Sequence, residues 1–285
     1  MASLMAQVLP LVAVAVSASP DGGVGEAVLH AALADAESNE PTRHAQLLKD
    51  LETPSFLSKL DSEADYVQAS KLRLHVGQVV DVLAGNPAPS AQSAFLELTR
   101  NRSFLAHDER VIALILASSK LRPAPPTLVR FWDERSHPDD GFTPTTVEAL
   151  VDNGSVPALA LLEKKMVDPS HRDEEKIAWM RSDILSHRND LPLLRSCERL
   201  LRGKLPKNLR PLLVEVLFDY RPGEWFRPDT GHSAPRIESA SSGARAQLLR
   251  IAELALKTAA LSSTQRSAVT LRVHDIETLK DAGGR

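Results

Sequence analysis

Two clusters of side chains have the types and spacing to bind something. Phe218 to Pro228 reads Phe-Asp-Tyr-Arg-Pro-Gly-Glu-Trp-Phe-Arg-Pro, and four of the chain's twelve aromatics fall within nine of those residues. Arginine and aromatic side chains join large contact area to directional polar groups, which is why binding hot spots use them. Arg221, Trp225 and Phe226 are therefore candidate partner contacts. A plainer reading is packing, with Phe218 finishing a core helix while Trp225 and Phe226 anchor a loop. The second cluster is basic: Arg188, Arg195, Arg199, Arg202, Lys204, Lys207 and Arg210 lie within 23 residues, against Asp190 and Glu198. Arg195, Arg199 and Arg202 follow i, i+4, i+7 spacing and share one helix face. Such a row suits an acidic protein groove or a phosphate backbone, and a solvated face is the default against which it is weighed.

Other chemistry finds little support. His137-Pro138-Asp139-Asp140 and His171-Arg172-Asp173-Glu174 set histidine beside carboxylates. Both fall in turns or first helical turns, where the helix dipole favours acids without any metal. The paired-histidine spacings of zinc sites are absent, so no metal is expected. Gly22-Gly23-Val24-Gly25 lacks the Lys-Ser/Thr of a phosphate loop, and there is no Gly-x-Ser-x-Gly elbow. No cofactor is implied. The one cysteine, Cys197, allows neither an internal disulfide nor a thiolate zinc site. Its spacing from Leu194 and Leu201 places it on an apolar helix face, as a buried thiol rather than a nucleophile.

These residues must be held by elements, and the punctuation of the chain shows which. Nineteen prolines and thirteen glycines fall mostly between segments of helical periodicity, and strand-like alternation is nearly absent. Helices are predicted over 24–37, 42–52, 64–84 (with Gly77 as a break), 90–100, 108–120 and 127–135. Further helices start at Thr143-Pro144, after Ser155, after a Ser170/Asp173 capping box, and after Asp190. One more spans 208–219. Val111, Ile112, Leu114, Ile115 and Leu116 make the 108–120 helix apolar nearly all round, as a buried layer would be. Residues 221–243 have no helical periodicity and read as a long loop. Two strong helices follow, the last opened by a Ser262/Gln265 capping box.

One pattern recurs. Ser155-Val156-Pro157-Ala158-Leu159 with Leu162-Glu163 and Asp190-Leu191-Pro192-Leu193-Leu194 with Cys197-Glu198 stand 35 residues apart, with cap, proline, apolar position and glutamate in register. Ala124-Pro125-Pro126-Thr127-Leu128 with Phe131 is a looser copy. Helical hairpins repeated at this spacing mark an α-solenoid. The pattern resembles HEAT repeats over roughly residues 100 to 220, at the short, degenerate end of that family. The resemblance implies a fold that binds along an extended surface.

The bulk numbers agree with a globular chain: 285 residues, 43% hydrophobic, 25% charged, net charge -3. A dedicated nucleic-acid binder carries a basic surplus, which this chain lacks. Leu4 to Val16 is apolar but too short to cross a bilayer. Val16-Ser17-Ala18 offers a signal-peptidase site after Ala18, although no Lys or Arg precedes the apolar run. Residues 1–18 read either as a signal peptide or as an apolar N-terminal segment. Secretion or a periplasmic location is the favoured expectation, a cytoplasmic one the alternative, and no transmembrane segment is expected.

The expectation is an all-α solenoid of HEAT-like antiparallel hairpins over 24–220, the 221–243 loop, and a C-terminal capping helix pair over 244–285. Its expected role is a non-enzymatic scaffold that binds another protein through Arg195, Arg199, Arg202, Arg221, Trp225 and Phe226. One rival is a nucleic-acid-binding or base-repair solenoid, with Trp132, Trp179 and nearby acids forming its pocket. The other is a ligand-binding or enzymatic pocket beneath the 221–243 loop.

Overall fold

A computed structural model describes residues 24–61, 66–203, 205–218 and 237–282. Among them the chain is all-α: fourteen α-helices joined by short links, three 3-10 turns and one π turn, with no strand. The helices fall into two compact units that divide between Asn153 and Gly154. Gly154 has a φ of 61°, the left-handed turn that ends a helix and that glycine adopts without steric cost.

The first unit holds α1 (Val24–Glu37), α2 (Pro41–Glu52), α3 (Pro54–Asp61), α4 (Tyr66–Gly85), α5 (Pro89–Leu98), α6 (Asp108–Ser118), α7 (Pro126–Arg135) and α8 (Thr143–Asn153). Helix α4 packs on α1, α6 on α4 and α8 on α6, while α2 packs on α5. Val111, Leu114, Ile115 and Ala117 of α6 are buried, and Ile112 and Leu116 are half-buried. The predicted buried layer is thus present, with one flank open.

Helix α4 runs unbroken through Gly77, where a Cβ would stand 3.9 Å from that of Ala113. A mid-helix glycine costs about 1 kcal/mol, which packing against α6 offsets. The sequence periodicity predicts no helix at α3. That helix has eight residues and two buried leucines, Leu57 and Leu60, too short a pattern to show a period. Pro54 opens it rather than closing α2. Asn86 and Asn153 tie helix ends in this unit by side-chain bonds to backbone carbonyls.

The second unit holds α9 (Val156–Val167), α10 (Asp173–Trp179), α11 (Leu191–Arg202), α12 (Arg210–Phe218), α13 (Ser242–Thr258) and α14 (Ser263–Ala282). A π turn, Met180–Ile184, continues α10, and the Leu185 N–H reaches back to the Met180 carbonyl. Helix α11 packs between α9 and α13. Helix α12 packs on the π turn and on α14.

Proline stands in the first turn of α2, α5, α7, α9 and α11, where a missing N–H costs nothing. The Ser262/Gln265 box is formed from both sides: Ser262 N–H donates to Gln265 Oε1 at 3.0 Å, and Gln265 N–H to Ser262 Oγ at 3.2 Å. The expected box at Ser170 is displaced. Ser170 bonds Asp168 through its N–H and hydroxyl, and the cap of α10 is Arg172, two residues later, with Glu175 accepting the Arg172 N–H at 3.1 Å. Glutamate reaches back to the cap where the shorter Asp173 does not.

Candidate interaction surface on α9, α11 and α13

Helix α11 separates its two kinds of residue cleanly. Leu193, Leu194, Cys197, Leu200 and Leu201 are buried, and Arg195, Arg199 and Arg202 are exposed. The i, i+4, i+7 row therefore lies on the outer face, as its spacing requires. Arg221, Trp225 and Phe226 lie outside the described residues, as does most of the 221–243 segment.

The three arginines differ in their partners. Arg199 meets Glu163 of α9, its Nη2 at 2.6 Å and its Nε at 3.0 Å from Oε1. Ser196, buried one turn earlier, donates its hydroxyl to the same oxygen at 2.7 Å. Arg202 meets Glu198 one turn back, at 2.6 Å from Nη2 and 3.0 Å from Nε. Glu198 also accepts a bond from Gln247 Nε2 of α13 at 2.5 Å. Among the described residues Arg195 makes no ion pair or side-chain hydrogen bond.

The repeated glutamate now has a physical meaning. Glu163 and Glu198 occupy matching positions of α9 and α11, and each accepts a bond from the next helix in its row. Ser196 and Arg199 supply it in the first case, Gln247 in the second. Hydrogen bonding to the charged form holds the Glu198 carboxyl below its ordinary range, chiefly through Gln247 and then Arg202. The Glu163 bond raises the Arg199 guanidinium above its own ordinary value. Sequence periodicity signalled the arginine face. It held no sign of the cross-helix partners, because adjacency of α9, α11 and α13 is a tertiary fact.

A second polar cluster sits beneath the α9–α10 link. His171, Lys165 and Lys176 are all buried. Lys176 Nζ donates to the Asp168 carbonyl at 2.7 Å, and the His171 ring stands edge-on to Trp179 with centroids 5.1 Å apart. Burial, reinforced by Lys165, pushes the His171 pKa down. The sequence showed only a histidine near acids in a turn. Asp168 is held low by its two bonds from Ser170.

The features proposed for a base-repair pocket are enclosed. Trp132 is fully buried with Nε1 bonded to Ser118 Oγ at 2.8 Å, and Trp179 is buried against His171. Neither indole offers a stacking face to a base. Burial pushes the Cys197 thiol up to about 12. The recess lined by Leu29, Leu51, Phe56 and Val79 leaves no room for a water molecule. Among the described residues no three His, Cys, Asp or Glu side chains converge in a metal-holding group, and no helix is long and apolar enough to cross a membrane. Set against known families, curated proteins and solved structures, the chain matches none.

Proposed function

We propose that the chain is a non-enzymatic, HEAT-like helical-repeat scaffold whose partner-facing surface is the outer face of α9, α11 and α13. The observation that carries this reading is the glutamate repeat: matching residues of α9 and α11 each accept a bond from the next helix in the row and hold arginines outward. Helices stacked so that each contacts its neighbours in a row suit the repeat reading, and such folds bind through extended surfaces. The exposed face of α11 is polar, while its leucines carry the packing.

The test is affinity capture of the tagged, native full-length protein from its own host, read by mass spectrometry. One near-stoichiometric protein partner is expected. A preparation free of protein partners overturns the scaffold reading. The nucleic-acid reading retains one favourable observation, three guanidinium groups on a single face. It predicts affinity that falls steeply with salt.

A further inference from the structure

We propose that the face shared by α9, α11 and α13 docks a carboxylate-rich segment of a partner protein. This rests on the scaffold reading and adds the chemistry of the partner.

The charge balance is local. In a chain of net charge -3, these three helices carry eight Lys and Arg side chains against three Glu. Of the eight, only Lys165 is buried. The ion pairs on this face do not cancel the excess, because their geometry is lopsided. The Arg199 side chain is 53% exposed against 23% for Glu163, and Arg202 is 64% exposed against 17% for Glu198. Each carboxylate is recessed and each guanidinium stands outside it. An approaching partner therefore meets N–H donors first.

The recessed carboxylates are themselves fixed. Ser196 holds Glu163 and Gln247 holds Glu198, both from buried positions. Each glutamate in turn holds its arginine fork, so less side-chain freedom is lost when a ligand arrives. Arg195, one turn before Arg199, and the exposed Arg250 of α13 have no hydrogen bond or ion pair among the described residues. Both guanidinium groups are open to a ligand, and a carboxylate is one that a guanidinium fork receives in bidentate fashion.

A protein segment fits this face better than a nucleic acid. The interleaved glutamates repel a continuous phosphate backbone, whereas carboxylates spaced along a peptide can fall between them. Helices α9, α11 and α13 contain no aromatic residue on which a base could stack.

The test uses the full chain and a fluorescein-labelled Glu/Asp-rich peptide, followed by anisotropy at low and moderate salt. Saturable binding is expected, weakened at least about tenfold in the Arg195→Glu/Arg250→Glu variant. Arg195→Ala/Arg250→Ala gives the same comparison without adding carboxylates. Circular dichroism and melting point should hold in the alanine variant, since neither side chain makes a hydrogen bond or ion pair among the described residues. Equal binding by wild type and variants, no binding by wild type, or tighter binding of a single-stranded oligonucleotide would each overturn the proposal. The scaffold reading fails separately. A captured protein that both double variants still retain leaves the scaffold standing and removes this face. An empty capture alongside variant-sensitive peptide binding does the reverse.

Discussion

Asn86 and Asn153 perform one task at the ends of two different helices. Asn86, just past α4, donates its side-chain amide to the carbonyls of Ala36 and Ser38 at the end of α1, at 3.0 and 2.9 Å. Asn153, the last residue of α8, donates to the carbonyls of Ser119 and Leu121 beyond α6, both at 2.9 Å. In each case a helix and the neighbour it packs on end together, and the amide takes up carbonyls that the helix geometry orphans. Asn153→Ala should cost about 1–3 kcal/mol in urea unfolding, the usual penalty for stranding buried polar groups. Asn153→Asp should cost more, since it sets a carboxylate against two carbonyl oxygens. An aspartate variant as stable as wild type would contradict this account.

Glu163 should matter more than the arginine it holds. Glu163→Ala strands the buried Ser196 hydroxyl as well as Arg199, whereas Arg199→Ala leaves Ser196 bonded. A double-mutant cycle between Glu163 and Arg199 should give a coupling of about 0.5–1 kcal/mol, discounted because the arginine is half exposed. Coupling near zero, or an arginine variant weaker than the glutamate one, would refute the assigned geometry.

Stability should fall as pH drops through the histidine range. Both ring nitrogens of His171 are buried without a hydrogen bond, and Glu175 Oε2 stands 3.6 Å from Nδ1. Lys165 from α9 and Lys176 from α10 oppose a proton there, while Asp168 and Glu175 favour one. The folded pKa lies below the ordinary value of 6.5, so the unfolded chain takes up the proton first. Stability is therefore complete above that value and is lost as pH falls below it, until the folded ring protonates. Melting points at about pH 7.5 and about pH 5.5 should differ, and His171→Phe should reduce the difference. An unchanged difference would clear His171 of the effect.

Cys197 should report on opening of the helix row. Its thiol is fully buried with a pKa pushed up to about 12, so the native chain at mildly alkaline pH holds almost no thiolate. A disulfide reagent should react slowly with native protein and at the rate of a free thiol in denaturant. Fast, stoichiometric labelling under native conditions would show that α11 opens far more readily than its packing implies.

Much of this fold is legible in the sequence, and the reason differs from element to element. Pro157 and Pro192 announced α9 and α11 because a first-turn proline is a local signal. Asn153-Gly154 announced the end of α8 in the same way. The outward arginines followed from helical period alone. Helix α3 escaped because two buried leucines over eight residues define no period. Spacing alone points to Ser170 as the cap of α10. Its bonds instead go back to Asp168. The repeat placed Glu163 and Glu198 in register without disclosing that register's purpose, which depends on which helix lies beside which.

The π turn over Met180–Ile184 has a consequence for chain length. Buried Lys176, Met180 and Ile184 recur every four residues. Steps of four overshoot an α-helical turn by about 40° each, so two of them drift by most of one residue's rotation. The wider turn swallows that surplus and returns the stripe to its original bearing, like a spare link let into a belt. A single-residue deletion inside the turn would let plain α-helix continue α10 through it. The same deletion at the start of α11 would turn Arg199 away from Glu163 on α9.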